Sequence, residues 1–97
     1  MTGALASLQT WYDAQCNGEW EHRYGVTVET LDNPGWRVTI DLTGTALAAK
    51  PFDAIEDLSS ASEWLHCSVQ ESQFRGAGGP HQLEAILRVF LDWARDG

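Results

Sequence analysis

Hydrophobic side chains recur at helical spacing near the start of the chain. The larger ones stand three or four residues apart: Leu5, Leu8, Tyr12 and Cys16. This spacing places them on one face of an amphipathic helix. Asn17-Gly18 follows directly, and a glycine just past the last periodic residue commonly ends a helix. We therefore predict a first helix over residues 4–16.

A second helical repeat occupies the last part of the chain. Its apolar members share one helix face and are Leu83, Ile86, Leu87, Phe90, Leu91 and Ala94. Charged residues occupy the other faces, as expected of a helix that buries one side. Pro80 is suited to the first turn of this helix, because the amide it lacks would have no partner there.

Between these helical segments, apolar and polar positions alternate, which is typical of half-buried strands. The alternating apolar positions are Tyr24, Val26 and Val28 in a first run and Trp36, Val38, Ile40 and Leu42 in a second. Residues 32–35, Asp-Asn-Pro-Gly, separate the runs and favour a tight turn, since proline fixes its own φ and glycine accepts a positive one. The pattern predicts an antiparallel hairpin.

The segments after the hairpin carry weaker signals. Residues 52–58 fit both a helical step and a twisted strand, and we interpret them as a strand. Residues 59–62 are the most linker-like stretch, whereas residues 63–70 alternate again and predict another strand. Residues 73–75 fit one more short strand before a loop over residues 76–80, Gly-Ala-Gly-Gly-Pro.

The resulting order is helix, three to five strands, helix. It predicts an α+β fold with an N-terminal helix, an antiparallel meander sheet and a C-terminal helix, packed in two layers with both helices on one face of the sheet. The chain has 97 residues, of which 43% are hydrophobic. That is enough for one core and too little for two, so we expect residues 1–97 to form a single domain.

The charge of the chain limits its partners. Six Lys and Arg against fourteen Asp and Glu give a net charge of −8, which is the wrong sign for attraction to a phosphate backbone. We expect no nucleic-acid partner and an affinity for basic surfaces. The sequence has no apolar run of about eighteen residues and no secretory signal pattern. We therefore expect a cytoplasmic protein without a membrane partner.

Cys67 is the residue best suited to covalent chemistry, but its surroundings in sequence argue against that role. It shares the apolar phase of its strand with Leu65 and Val69, which indicates a buried thiol. Its neighbour His66 points to the opposite face of the strand and is poorly placed to activate it. The histidines have no spacing typical of a metal site. We expect no catalytic residue, no metal and no cofactor.

The glycine-rich segment 76–80 also has a possible chemical interpretation. Exposed amides before a helix attract anions, so one hypothesis is a small-ligand sensor built on this segment. The segment lacks the Lys-Ser/Thr ending of a P-loop, and Pro80 removes one amide. A strand-to-helix turn that needs unusual φ values is the favoured interpretation.

Two segments combine a tryptophan with acids. One is Gly18-Glu19-Trp20-Glu21-His22, after the first helix, and the other is Asp32-Asn33-Pro34-Gly35-Trp36, at the hairpin turn. An exposed tryptophan offers a large contact area at a small entropic cost, and acids around it orient a basic partner. The alternative interpretation is that both tryptophans cover the ends of the core.

A family pattern covers nearly the whole chain in separated blocks. The blocks are residues 8–12, 16–22, 24–25, 30–36, 40–45 and 74–80, with the single positions Trp64, Cys67, Leu83, Ile86, Leu87, Phe90 and Trp93. This pattern resembles the immunity protein 53 family of bacterial polymorphic toxin systems. Within it, Asn17 and Glu19 stand where Asp is frequent, and Arg23 stands where a small polar residue is frequent.

The resemblance implies a non-enzymatic immunity protein of the cytoplasm that binds and neutralises a cognate toxin in bacterial competition. Together with the acidic charge, it suggests that an acidic, Trp-containing surface occludes the toxin's active site, whose rim we expect to be basic. A homodimer is compatible with the sequence. The candidate contact residues are Glu19, Trp20, Glu21, Asp32, Asn33, Trp36 and Asp41.

The alternative hypothesis is a small cysteine-dependent enzyme, a sulfurtransferase-like protein that uses Cys67. A site of that kind needs a cysteine at the head of an anion-binding loop. Cys67 instead precedes Ser68-Val69-Gln70 inside a predicted strand. We therefore do not transfer that activity to this chain.

Overall fold

The structure is a computed structural model that describes residues 3–57 and 63–95. Within these ranges the elements are α1 (Ala4–Gln15), α2 (Trp20–Arg23), β1 (Val26–Leu31), β2 (Gly35–Asp41), β3 (Ile55–Asp57), β4 (Leu65–Gln70), β5 (Gln73–Gly78) and α3 (Leu83–Arg95). The five strands form one open sheet in which every neighbouring pair is antiparallel. The predicted α+β fold, with a helix at each end of the sheet segment, is confirmed.

The strand order departs from a meander at one connection. A meander keeps neighbours in chain order, but the order here is β1-β2-β5-β4-β3. The segment after β2 carries the chain to the far edge, where β3 forms, and β5 returns to pair with β2. The meander detail of the prediction was wrong because strand neighbours depend on long-range contacts, which an alternating pattern does not encode.

One face of the sheet is buried under the helices. The side chains on it that are fully shielded from solvent are Val38, Ile40, Phe74 and Cys67. The last helix, α3, packs on β2, β4 and β5, and its Ile86 and Phe90 are also fully buried. The ring of Trp11 in α1 meets Phe90 edge-on at 5.0 Å, and Leu8 belongs to the same hydrophobic cluster. Both helices therefore cover the same face, as predicted.

The strand β5 contains glycines where the sequence suggested a loop. Residues 76–78 continue the strand, so the predicted loop begins too early. A Cβ atom on Gly76 would lie 2.4 Å from Cγ2 of Ile86, and one on Gly78 would lie 2.8 Å from Cβ of Gln82. These glycines let the chain at the start of α3 approach the sheet closely. The glycines of β5 therefore serve the packing of the helix on the sheet.

The element boundaries at the helix ends also differ from the prediction. The first helix ends at Gln15, and Cys16 follows in an extended conformation. Gly18, with φ +92°, forms the turn before α2 and does not terminate α1. The last helix begins at Leu83, so Pro80 precedes it and is not in its first turn.

The predicted strands are found at the expected places. The hairpin of β1 and β2 turns at residues 32–34, and β4 lies within the predicted range 63–70. In the ambiguous segment 52–58, Ile55–Asp57 form the short strand β3. Leu58 and the linker-like residues 59–62 lie outside the described residues.

Candidate functional site

The first acidic segment is a turn held by its own side chains. The Oδ1 atom of Asn17 accepts hydrogen bonds from the amides of Glu19 and Trp20, both at 3.0 Å. The carboxylate of Glu21 accepts from the amides of Asn17, at 2.9 Å, and Gly18, at 2.8 Å. Hydrogen bonds from side chains to nearby backbone amides stabilise a turn whose amides have no partner in a helix or sheet. The Glu21 carboxylate is therefore occupied by the backbone of its own turn.

The ionisation of Glu21 reflects these hydrogen bonds. Its own backbone amide makes the largest contribution to holding the pKa of Glu21 below its usual range. The amides of Asn17 and Gly18 and the nearby His22 act in the same direction, while desolvation opposes them. Hydrogen bonds that a carboxylate accepts favour its charged form. The Glu21 carboxylate is consequently charged at neutral pH.

Trp20 is placed in the core and not on the surface as an anchor. Its side chain is 5% exposed, and its indole Nε1 donates a hydrogen bond of 2.8 Å to the carbonyl of Thr43. The rings of Trp11, Tyr12 and Tyr24 surround it, with centroids 6.0 to 6.2 Å away. This burial agrees with the alternative interpretation from the sequence, in which Trp20 covers an end of the core.

Asp41 ties together three segments at the same end of the sheet. Its Oδ2 atom accepts a hydrogen bond of 2.9 Å from the amide of Gly25, and its Oδ1 accepts one of 2.8 Å from Nε2 of Gln73. Asp41 thus positions the start of β1 and the start of β5 relative to β2. Among the three acidic candidates at this end, Glu19 is the exposed one.

The second candidate segment lies at the hairpin turn. Asp32 and Asn33 are exposed, and Trp36 is partly buried. The indole Nε1 of Trp36 donates a hydrogen bond of 3.0 Å to the carbonyl of Pro80. A Cβ atom on Gly35 would lie 2.4 Å from the carbonyl oxygen of Gly78. The turn is therefore held against the segment that leads into α3.

The structure does not bring the two acidic segments together. Glu19, Glu21 and Asp41 lie at one end of the β1–β2 hairpin, and Asp32, Asn33 and Trp36 lie at the other. Six registered residue pairs separate the two ends, a length of about 20 Å at about 3.4 Å per residue. A partner that contacts both ends has to lie along the hairpin.

An apolar groove between α1 and β1 was not anticipated from the sequence. It has a volume of about 330 Å³ and is lined by Leu8, Gln9, Tyr12, Gly25 and Val26. The exposed large hydrophobic side chains are Leu5 at 63%, Tyr12 at 37% and Val28 at 42%. All three belong to α1 or β1. Their apolar periodicity was visible in the sequence, but it gave no sign that β1 would form a sheet edge beyond the cover of the helices.

The open face of the sheet carries mixed charge. A shallow depression of about 230 Å³ lies over β4 and β5, and Arg37, His66 and Arg75 line it with Ser68. The three basic side chains pair with Glu29, Glu56 and Glu71 at 3.6, 3.9 and 3.4 Å. Exposed pairs of this kind contribute little to stability. This face therefore offers a balanced polar surface.

Cys67 has none of the properties of a nucleophile. Its side chain is fully buried, and burial raises the pKa of the Cys67 thiol to about 11. The thiol is thus protonated at neutral pH, whereas nucleophilic attack needs the thiolate. Among the described residues, no group of three or more His, Cys, Asp or Glu side chains is arranged to hold a metal ion. In the same part of the chain, no helix is both long and apolar enough to cross a membrane.

Comparison with known proteins identifies a family. A family model described as immunity protein 53 matches residues 5–95. No curated protein and no solved structure matches the chain.

Proposed function

The chain belongs to the immunity protein 53 family, and from this premise we propose that it binds a cognate bacterial toxin and neutralises it without catalysis. The family match carries the proposal. It spans residues 5–95, from the first helix to the last, so the whole domain and not one short motif is shared. A fold alone would not support a function in this way.

The environment of Cys67 supports a non-enzymatic mode of action. A cysteine-dependent enzyme needs an accessible thiolate beside a base. The Cys67 thiol is buried, and its pKa is raised to about 11. Neutralisation by binding needs no reactive group, because a stoichiometric complex is sufficient to block a toxin.

We propose that the acidic surface contacts a basic rim around the toxin's active site. The net charge of −8 favours encounter with such a rim. Of the candidate contact residues, Glu19, Asp32 and Asn33 are exposed, and Trp36 is partly so. Trp20, Glu21 and Asp41 contribute by holding the first segment and the adjoining end of the hairpin in shape, since their side chains contact the protein itself.

A protection and binding assay tests this function. The candidate toxin to test is the product of the open reading frame immediately upstream, expressed alone and together with this chain. We expect growth arrest with the toxin alone, normal growth with both, and a stable complex of fixed stoichiometry in titration calorimetry. Continued growth arrest at an excess of this chain, or turnover of a substrate by the purified chain, would contradict the proposal.

A further inference from the structure

The edge strand β1 leaves half of its backbone groups directed away from the sheet. The Asp41 amide donates to the Gly25 carbonyl at 3.1 Å, next to the registered pair Val26 and Ile40, so Val26 and Ile40 form a non-hydrogen-bonded pair of the antiparallel ladder. Such pairs alternate along a ladder. By the observed register, Thr27, Glu29 and Leu31 therefore direct their N–H and C=O groups to β2. Val26, Val28 and Thr30 direct theirs outward.

Nothing in the described part of the chain covers this outer edge. The sheet order ends at β1, and among residues 3–57 and 63–95 no element pairs with it there. Natural proteins usually protect such an edge with lysine, proline or a bulge. The sequence of β1, Val-Thr-Val-Glu-Thr-Leu, has neither lysine nor proline, and its register with β2 is continuous. The strand is thus open to a further strand.

The apolar groove lies where the side chains of an added strand would fall. Side chains of Val26 and Val28 point to the helix side of the sheet, the side of the groove between α1 and β1. Residues directly opposite them on an added strand would point the same way. Leu8 and Tyr12 of α1 line the opposite wall of the groove, and the Tyr12 side chain is 37% exposed. The groove therefore favours apolar residues at these alternate positions.

The charges of α1 and β1 indicate which residues suit the other positions of an added strand, those that point to the open face of the sheet. The two walls, α1 and β1, together contain only two charged residues, Asp13 and Glu29, and both are acidic. Glu29 lies on the open face of the sheet and is half exposed; its ion-pair partner Arg37, at 3.6 Å, lies on β2 and not on the outer side where a strand would add. The residue opposite it on an added strand would lie on that same face, where an opposite charge is stabilising. A lysine or arginine is the complementary residue there.

We propose that an extended segment of the cognate toxin adds to β1 as a sixth strand. Its apolar side chains enter the groove between α1 and β1, and its basic side chains lie beside Glu29. Main-chain hydrogen bonds to Val26, Val28 and Thr30 hold it in register, and the alternating side chains give specificity. This inference rests on the proposed function, because that function supplies the toxin as the partner.

Residue-resolved amide exchange on the wild-type protein tests the strand addition. The probe is the same candidate toxin, the product of the upstream open reading frame, added to the isotope-labelled chain. In the free protein we expect fast exchange at Val26, Val28 and Thr30 and slow exchange at Thr27, Glu29 and Leu31. In the complex the first three amides should slow by about tenfold or more. A complex in which they exchange as fast as in the free protein overturns the inference.

A backbone variant tests the same edge independently. Val28→Pro removes one outward amide and leaves the β1–β2 ladder intact, since the Val28 amide does not pair with β2. We expect the dissociation constant to rise by about tenfold, because a hydrogen bond is lost and the proline ring obstructs the edge. Val28→Thr keeps the amide and changes only the side chain on the groove side, so it should lose less affinity than Val28→Pro. Equal affinity of Val28→Pro and wild type would overturn the inference.

The outcomes separate the two proposals. If the wild-type chain does not bind the toxin, both fail. If it binds while the outward amides of β1 stay unprotected, only the strand addition fails. If the free chain is already a dimer in which these amides are protected, the occupant of the edge is a second copy, and the inference is overturned.

Discussion

At the residue scale, the side chains of the acidic segments divide into two groups. Glu21 and Asp41 use their carboxylates to bind amides of the protein itself. Trp20 is enclosed by aromatic rings, with its indole nitrogen satisfied by Thr43. Glu19, in contrast, is exposed. Residues of the same type and in the same segment therefore serve the fold or the surface according to their contacts.

The burial of Trp20 predicts a large loss of stability on truncation. Trp20→Ala removes a side chain that is 5% exposed, and we expect it to lower the free energy of unfolding by about 3–5 kcal/mol. Denaturant titration followed by circular dichroism measures the change. Glu19→Ala, one residue away and exposed, is the control and should stay within about 0.5 kcal/mol of wild type. Equal stability of both variants would show that Trp20 is not part of the core.

From the raised pKa of the buried Cys67 thiol, we expect the protein to lose stability at alkaline pH. Burial raises its pKa from 9.0 to about 11, so the unfolded chain releases this proton at a lower pH than the folded protein does. Stability therefore decreases as the pH rises from about 9 to about 11. Melting curves across this range measure the slope. Cys67→Ala should reduce the slope, and an unchanged slope in that variant would contradict the assignment.

At the element scale, the crossing from β2 to β3 determines where the glycines of β5 lie. It leaves β5 between β2 and β4, directly beneath α3. Gly76 then faces Ile86, and its missing side chain provides the space for the helix. The same glycines at the sheet edge would have no such role.

This packing predicts a coupling between Gly76 and Ile86. Gly76→Ala places a methyl group 2.4 Å from Cγ2 of Ile86, and we expect a loss of about 1–3 kcal/mol. Ile86→Ala creates a cavity and should cost about 2–5 kcal/mol. In the double variant the added methyl group occupies part of that cavity, so the loss should be smaller than the sum. A double-mutant cycle measures the difference, and simple additivity would contradict the close contact.

At the scale of the whole molecule, the charge is spread over surfaces that lie far apart. The two exposed acidic segments stand at opposite ends of the hairpin, and the groove between α1 and β1 runs beside one of them. An excess of negative charge accelerates association with a basic partner wherever it lies, but nearby charges act most strongly. The change in association rate constant when a single charge is removed therefore reports which end of the hairpin faces the toxin.

Three variants with the same loss of one negative charge make this comparison. Glu19→Gln and Asp32→Asn each alter one end of the hairpin, and Asp53→Asn, exposed in the segment before β3, is the control. We expect the association rate constant at low salt to fall about two- to fivefold for the end that faces the toxin and to change little for Asp53→Asn. Stopped-flow or surface-binding kinetics provide the rates. Equal effects of all three variants would mean that only the net charge matters.

The sequence by itself determined the family and those elements whose apolar residues repeat at a clear local period. Both long helices and the hairpin follow from spacing and turn chemistry, because these depend on neighbours within a few residues. The buried state of Cys67 also followed from its phase in the strand, and the blocks that resemble the immunity protein 53 family were visible before any fold was known. The tertiary structure alone decided the strand order, the burial of Trp20 and the strand role of Gly76 and Gly78. It also decided that β1 is the outermost strand of the sheet formed by the described residues, beside an apolar groove, because a strand becomes an edge only through contacts between distant segments.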